Sequence, residues 1–168
     1  MCPYCTIKKD CIIEGHRGIG TVPGENTLPN FAKAIELGLD SIELDVWLSK
    51  DNELIVAHDL VAGEDESARP NEFDCAELLA KGIPTLRSVL ELCKDKIFVN
   101  IELKERRIEV KSEVTKLVQE IDVMDQVAYS TFGHEVFDDT PYPTEYGFLW
   151  YVGTPFELNL ELSDTINL

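Results

Sequence analysis

Short, almost wholly apolar strand-like runs that alternate with amphipathic stretches constrain this chain more than any other feature of its sequence. CIIEG at 11–15, DSIELDVW at 40–47, ELIVAH at 53–58, KIFVNIEL at 96–103, QVAYST at 126–131 and EYGFLWYV at 145–152 read as strands. Helical spacing of apolar residues falls at 26–37, 74–81, 85–94 and 108–121, and a turn at Asp51 and Asn52 joins the second strand to the third. Near-continuous apolar strands separated by helices belong to a parallel sheet covered by helices. That leaves a (β/α) barrel or an open doubly wound sheet. A length of 168 residues with 44% hydrophobic residues suits a single domain over residues 1–168, with no internal boundary or strict repeat.

Within the apolar runs a few charges stand out. In SIELDVWLS, Ser41 to Ser49, Glu43 and Asp45 point to one side, because strand side chains alternate faces. Glu102 and Lys104 repeat the arrangement in FVNIELKE. A buried carboxylate with no partner neutralises rather than stays charged, so such pairs call for a metal, a cation or water. His16 and Arg17 follow the first strand, Glu43 and Asp45 end the second, His58 and Asp59 end the third, and Glu102 and Lys104 end the fourth. Any one of these is more often a hydrogen-bonded structural residue or a rim residue; four clusters at C-terminal strand ends are what a barrel active site requires.

Three carboxylates without a cysteine make an oxygen-rich set suited to Mg²⁺, Ca²⁺ or Mn²⁺ rather than zinc. Arg17 and Lys104 add donors suited to a phosphate, one a planar fork and the other a point charge. His16 and His58 are side chains of the type that gives and takes protons near neutrality, as a general acid and base at phosphorus require.

The net charge of −17 argues against nucleic acid and anionic membrane surfaces as partners, so an anionic small molecule must be met by local cations. No apolar run approaches the roughly 20 residues that span a bilayer, and MCPYCTIKKDCII lacks the apolar centre of a secretion signal; a soluble cytoplasmic protein is expected. Five scattered cysteines fit reduced thiols. Cys2 and Cys5 have C-x-x-C spacing without a second such pair, and read as part of a frayed N-terminal segment. Trp47 and Trp150 read as core, and His134 as the start of a surface helix.

GHRG at 15–18, ENT at 25–27, IELDV at 42–46, AHD at 57–59, IPTL at 83–86 and IELK at 101–104, with a weaker STF at 130–132, resemble in order the motifs of the glycerophosphodiester phosphodiesterase family. The resemblance implies a TIM barrel that hydrolyses a glycerophosphodiester to glycerol 3-phosphate and an alcohol through a cyclic phosphate formed by the glycerol 2-hydroxyl. It implies His16 and His58 as the acid/base pair, Glu43, Asp45 and Glu102 as metal ligands, and Arg17 and Lys104 on the phosphate. Glu25 and Asn26 would cap the first helix and order the loop over the site.

A (β/α)₈ barrel is typically about 250 residues, so about six of eight strands are expected here, in a barrel that does not close and whose edges favour self-association. The family's longer insertion after His58 is also reduced, which leaves the headgroup open. Two other readings stand beside the hydrolase: a catalytically impaired barrel fragment that binds phosphate compounds or a partner, and a lysophospholipase D-type activity.

Overall fold

A computed structural model describes residues 12–20, 24–58, 68–105, 108–131 and 147–149, with the backbone alone at 108 and 147–149. Strands β1 (Glu14–Gly15), β2 (Ser41–Leu48), β3 (Leu54–Val56), β4 (Phe98–Leu103), β5 (Val127–Thr131) and β6 (Gly147–Leu149) form one sheet. The helices are α1 (Leu28–Glu36), α2 (Cys75–Ala80), α3 (Leu86–Cys93) and α4 (Ile108–Ile121).

Five strands are parallel in the order β1-β2-β4-β5-β6. Each crossover adds its strand on the same side, without the reversal of order that defines a doubly wound sheet. Among the described residues this is an α/β barrel that does not close. The sixth strand departs from the alternating plan: β3 pairs antiparallel with β2. Only a few residues join the two, too few for a parallel crossover. Asn52 takes φ 65 at this turn, Ser49 N–H donates to Glu53 O at 2.9 Å, and Ser49 Oγ donates to Asp51 Oδ1 at 2.6 Å.

Period-two alternation divides the sheet into an apolar side and a polar side. Ile42, Leu44, Val46, Leu48, Val99, Ile101, Leu103, Val127 and Tyr129 pack with Phe31 and Ala34 of α1, Val89 and Leu90 of α3, and Val110 and Val114 of α4. The other side carries Ser41, Glu43, Asp45, Asn100, Glu102 and Ser130, all buried. The near-continuous apolar character of the strands thus hides a polar barrel interior.

Ile101 is fully buried at the centre of the helix-covered side. Ile101→Ala is expected to cost about 2–5 kcal/mol, read as a lower denaturation midpoint at unchanged m-value. Among the described residues no helix is long and apolar enough to cross a membrane, and Cys75 and Cys93 are free and buried. Cys2 and Cys5, His134 and Trp150 lie outside the described residues.

Candidate active site

The turn after β1 dictates the first part of the site. A Cβ on Gly15 would lie 1.7 Å from Gly18 O, and Gly18 has φ +101, so glycine is required at both places. Between them Arg17 is held at φ 53, a conformation costly for a side-chain-bearing residue. The return comes from acids: Arg17 N–H donates to Glu43 Oε2 at 2.9 Å, and its Nη1 donates to both oxygens of Glu25 at 3.2 Å. Its Nε lies 3.4 Å from Asp45 Oδ2.

Register brings the remaining acids together, since Asp45 pairs with Glu102 across β2 and β4. Lys104 Nζ lies 3.1 Å from Glu102 Oε1 and 3.4 Å from Asp45 Oδ1. Glu43, Asp45 and Glu102 each place one oxygen within 4.8 Å of the others. Arg17 and Lys104 therefore stand on either side of Asp45, itself 0% exposed.

The two histidines stand differently toward the acids. His16 is exposed, with Nε2 3.9 Å from Glu43 Oε2. The main chain leading to His58 returns to the level of Asp45 because β2 runs past the end of β4 and β3 turns back along it: Ala57 N–H donates to Asp45 O at 3.0 Å, one residue before His58. It is thus the end of an antiparallel strand, not a fourth parallel one, that returns to the level of the acids. Asp59 lies outside the described residues.

Asn26 was not legible in its role. The N-cap of α1 is Thr27, not Asn26 or Glu25. Asn26, at φ 56, donates from Nδ2 to Asp45 Oδ2 at 2.8 Å, while Glu25 holds Arg17. Glu105, also buried, accepts from Leu48 N–H at 2.9 Å and fixes the end of β2. Neither contact has a local sequence signal, since each joins residues far apart in the chain.

Burial sets the electrostatics. It pushes the Glu43 carboxyl up from 4.5 to about 8, helped by the Asp45 charge. Burial likewise raises Glu102 to about 7, against the pull of Lys104. Glu43 Oε1 and Asp45 Oδ1 are buried without a hydrogen-bond partner. Four carboxyls, counting Glu25, face the two cations Arg17 and Lys104; burial keeps Glu43 and Glu102 largely or partly protonated near neutrality, and with both ionised the set would carry an excess of two negative charges. The donor set, the orphaned oxygens and that excess all fit one hard divalent cation. At the opposite strand ends a cavity of about 650 Å³ is also acidic, with Asp40, Asp95, Asp122 and Asp125, but the orphaned oxygens are not there.

Residues 16–140 match the model of the glycerophosphoryl diester phosphodiesterase family. The chain belongs to this family. It is 33% identical over 142 residues to a glycerophosphodiester phosphodiesterase of Caldanaerobacter subterraneus subsp. tengcongensis, covering 73% of this chain and 58% of the relative. It is 34% identical over 143 residues to one of Bacillus altitudinis, with the same coverages. The chain thus spans 58% of the length of these curated relatives. Among solved structures, the glycerophosphodiester phosphodiesterase of Thermotoga maritima matches with a TM-score of 0.72 and 32% identity, covering 94% of this chain and 71% of that one. A phosphodiesterase of Oleispira antarctica, solved with the product sn-glycerol-3-phosphate, shares the fold at a TM-score of 0.74 and 20% identity, covering 98% and 75%.

Proposed function

We propose that these residues form the site of a divalent-cation-dependent glycerophosphodiester phosphodiesterase, releasing glycerol 3-phosphate and an alcohol. The observation that carries the reading is the convergence of three buried carboxylates with an Arg and a Lys at the barrel mouth, in a member of this family. The names of the relatives and the product complex of the Oleispira enzyme support the substrate class.

Glu43, Asp45 and Glu102 would hold the cation, Mg²⁺, Ca²⁺ or Mn²⁺. When bound, it would offset charge on the phosphate and on the ionised carboxylates. Arg17 and Lys104, which now brace the carboxylates, donate to the phosphate oxygens. One of His16 and His58 takes the proton of the glycerol 2-hydroxyl as it attacks phosphorus, and the other protonates the departing alcohol. Water then opens the cyclic phosphate with the two roles exchanged.

The test is release of glycerol 3-phosphate from glycerophosphocholine and glycerophosphoethanolamine with Mg²⁺, Ca²⁺ or EDTA. EDTA should abolish turnover, and His16→Ala or His58→Ala should each lower kcat by about 10²–10⁴-fold. Turnover that is indifferent to EDTA, or to both histidines, rules the reading out.

A further inference from the structure

Trp47 is one further residue on the site's own face of β2, two positions beyond Asp45 and four beyond Glu43. It is half-buried, and its indole packs against a small cluster of Ile55, Ala57, Cys75 and Leu78, separate from the main core. Its Nε1–H is aimed elsewhere, donating to the backbone carbonyl of His58 at 2.5 Å. The chain approaching His58 is thus tied to β2 twice within two residues, through Ala57 N–H to Asp45 O and through the indole to His58 O. Both ties end on the strand that carries Glu43 and Asp45.

We propose that Trp47 is a positioning residue for His58, fixing the histidine's backbone relative to the acids through the indole N–H. This rests on His58 acting as acid or base in the reading above. A carbonyl accepting from the indole holds the main chain at the base of the imidazole, so its loss leaves the ring present but less well placed. Proton transfer needs that placement in the transition state, whereas substrate binding and cation binding do not depend on it. Misplacement by about 1 Å can cost on the order of 100-fold in rate. The effect belongs in kcat rather than in KM.

Trp47→Phe removes the donor and keeps a large aromatic side chain in the cluster. Ile55→Val loosens the same cluster and leaves the hydrogen bond. Both are compared with the wild-type protein for thermal stability, kcat, KM and Mg²⁺ affinity. The His58 imidazole is followed by NMR, with its signal assigned from a His58→Gln variant. Expected for Trp47→Phe is a fall in kcat of about 10–100-fold at nearly unchanged KM and Mg²⁺ affinity, with a displaced or broadened His58 signal. Ile55→Val should lose thermal stability alone. Equal kcat losses in the two variants, or a Trp47→Phe protein with wild-type kcat and an unmoved His58 signal, would overturn the proposal. If the wild-type chain shows no turnover, the hydrolase reading fails by itself. The His58 signal then decides this one: a shift in Trp47→Phe supports the tether, and none refutes it.

Discussion

Replacing Asp45 with asparagine is expected to remove specific divalent-cation binding and to lower phosphodiester turnover by at least about 10²–10³-fold, in a protein that still folds. Asp45 is where the site's contacts meet: Asn26 donates to it, and Arg17 and Lys104 flank it within 3.4 Å. Asparagine preserves shape and an acceptor oxygen for Asn26, so packing is conserved. What changes is charge, since with Glu43 and Glu102 ionised the excess of two negatives that suits a divalent cation falls to one. Folding survives because Arg17 keeps Glu25 and Lys104 keeps Glu102 as partners. Asp45→Ala should be worse, because a fully buried site then holds a void beside two cations, at a cost of about 3–5 kcal/mol. Circular dichroism and cation titration separate the two outcomes: a folded Asp45→Asn protein with wild-type affinity for Mg²⁺ removes Asp45 from the ligand set.

The second large effect is on stability against pH without metal. Glu43 is raised in the folded protein from 4.5 to about 8, and Glu102 to about 7, both chiefly by burial. A carboxyl with a raised folded pKa favours the folded state while it is protonated. That stabilisation is complete below about pH 4.5, declines as pH rises through the interval, and is gone above about pH 8. For Glu43 the loss has a ceiling of roughly 4–5 kcal/mol. With EDTA present, the denaturation midpoint should therefore fall between pH 5 and 8, opposite to the trend of salt-bridged surface acids. Saturating Mg²⁺ or Ca²⁺ should flatten the slope, because the ionised carboxylates then have a counter-charge. Glu43→Gln should flatten it as well, without metal. A metal-free midpoint that stays level or rises over this range would contradict the burial that gives the acids their high pKa.

Much of this arrangement could be read from the chain because strand periodicity is strict. Glu43 and Asp45 share a face with Glu102 through a register that the apolar partners Ile42, Leu44 and Ile101 enforce from the helix side. Helix α4 was legible from end to end, its apolar positions repeating without a breaker. The course of β3 was less so. Its turn at Asp51 and Asn52 was visible, but alternating strands and helices suggested a parallel plan, and the hairpin emerges only when the short connection is given precedence. Asn26 misled for a related reason: an Asn before Thr-Leu-Pro has the local chemistry of a cap, while its actual partner Asp45 lies 19 residues away. Trp47, in an apolar strand, reads as core, and it does pack in a small cluster, yet its indole N–H answers to His58, a partner that hydropathy does not register.

Calorimetric titration of the chain with Mg²⁺ and Ca²⁺ at pH 7, in two buffers of different ionisation enthalpy, tests the central claim most directly. One cation should bind with release of about one to two protons, drawn from Glu43 and Glu102. Asp45→Asn should abolish both the heat and the protons. Binding without proton release, or binding that survives Asp45→Asn, would show that these buried acids are not where the cation sits.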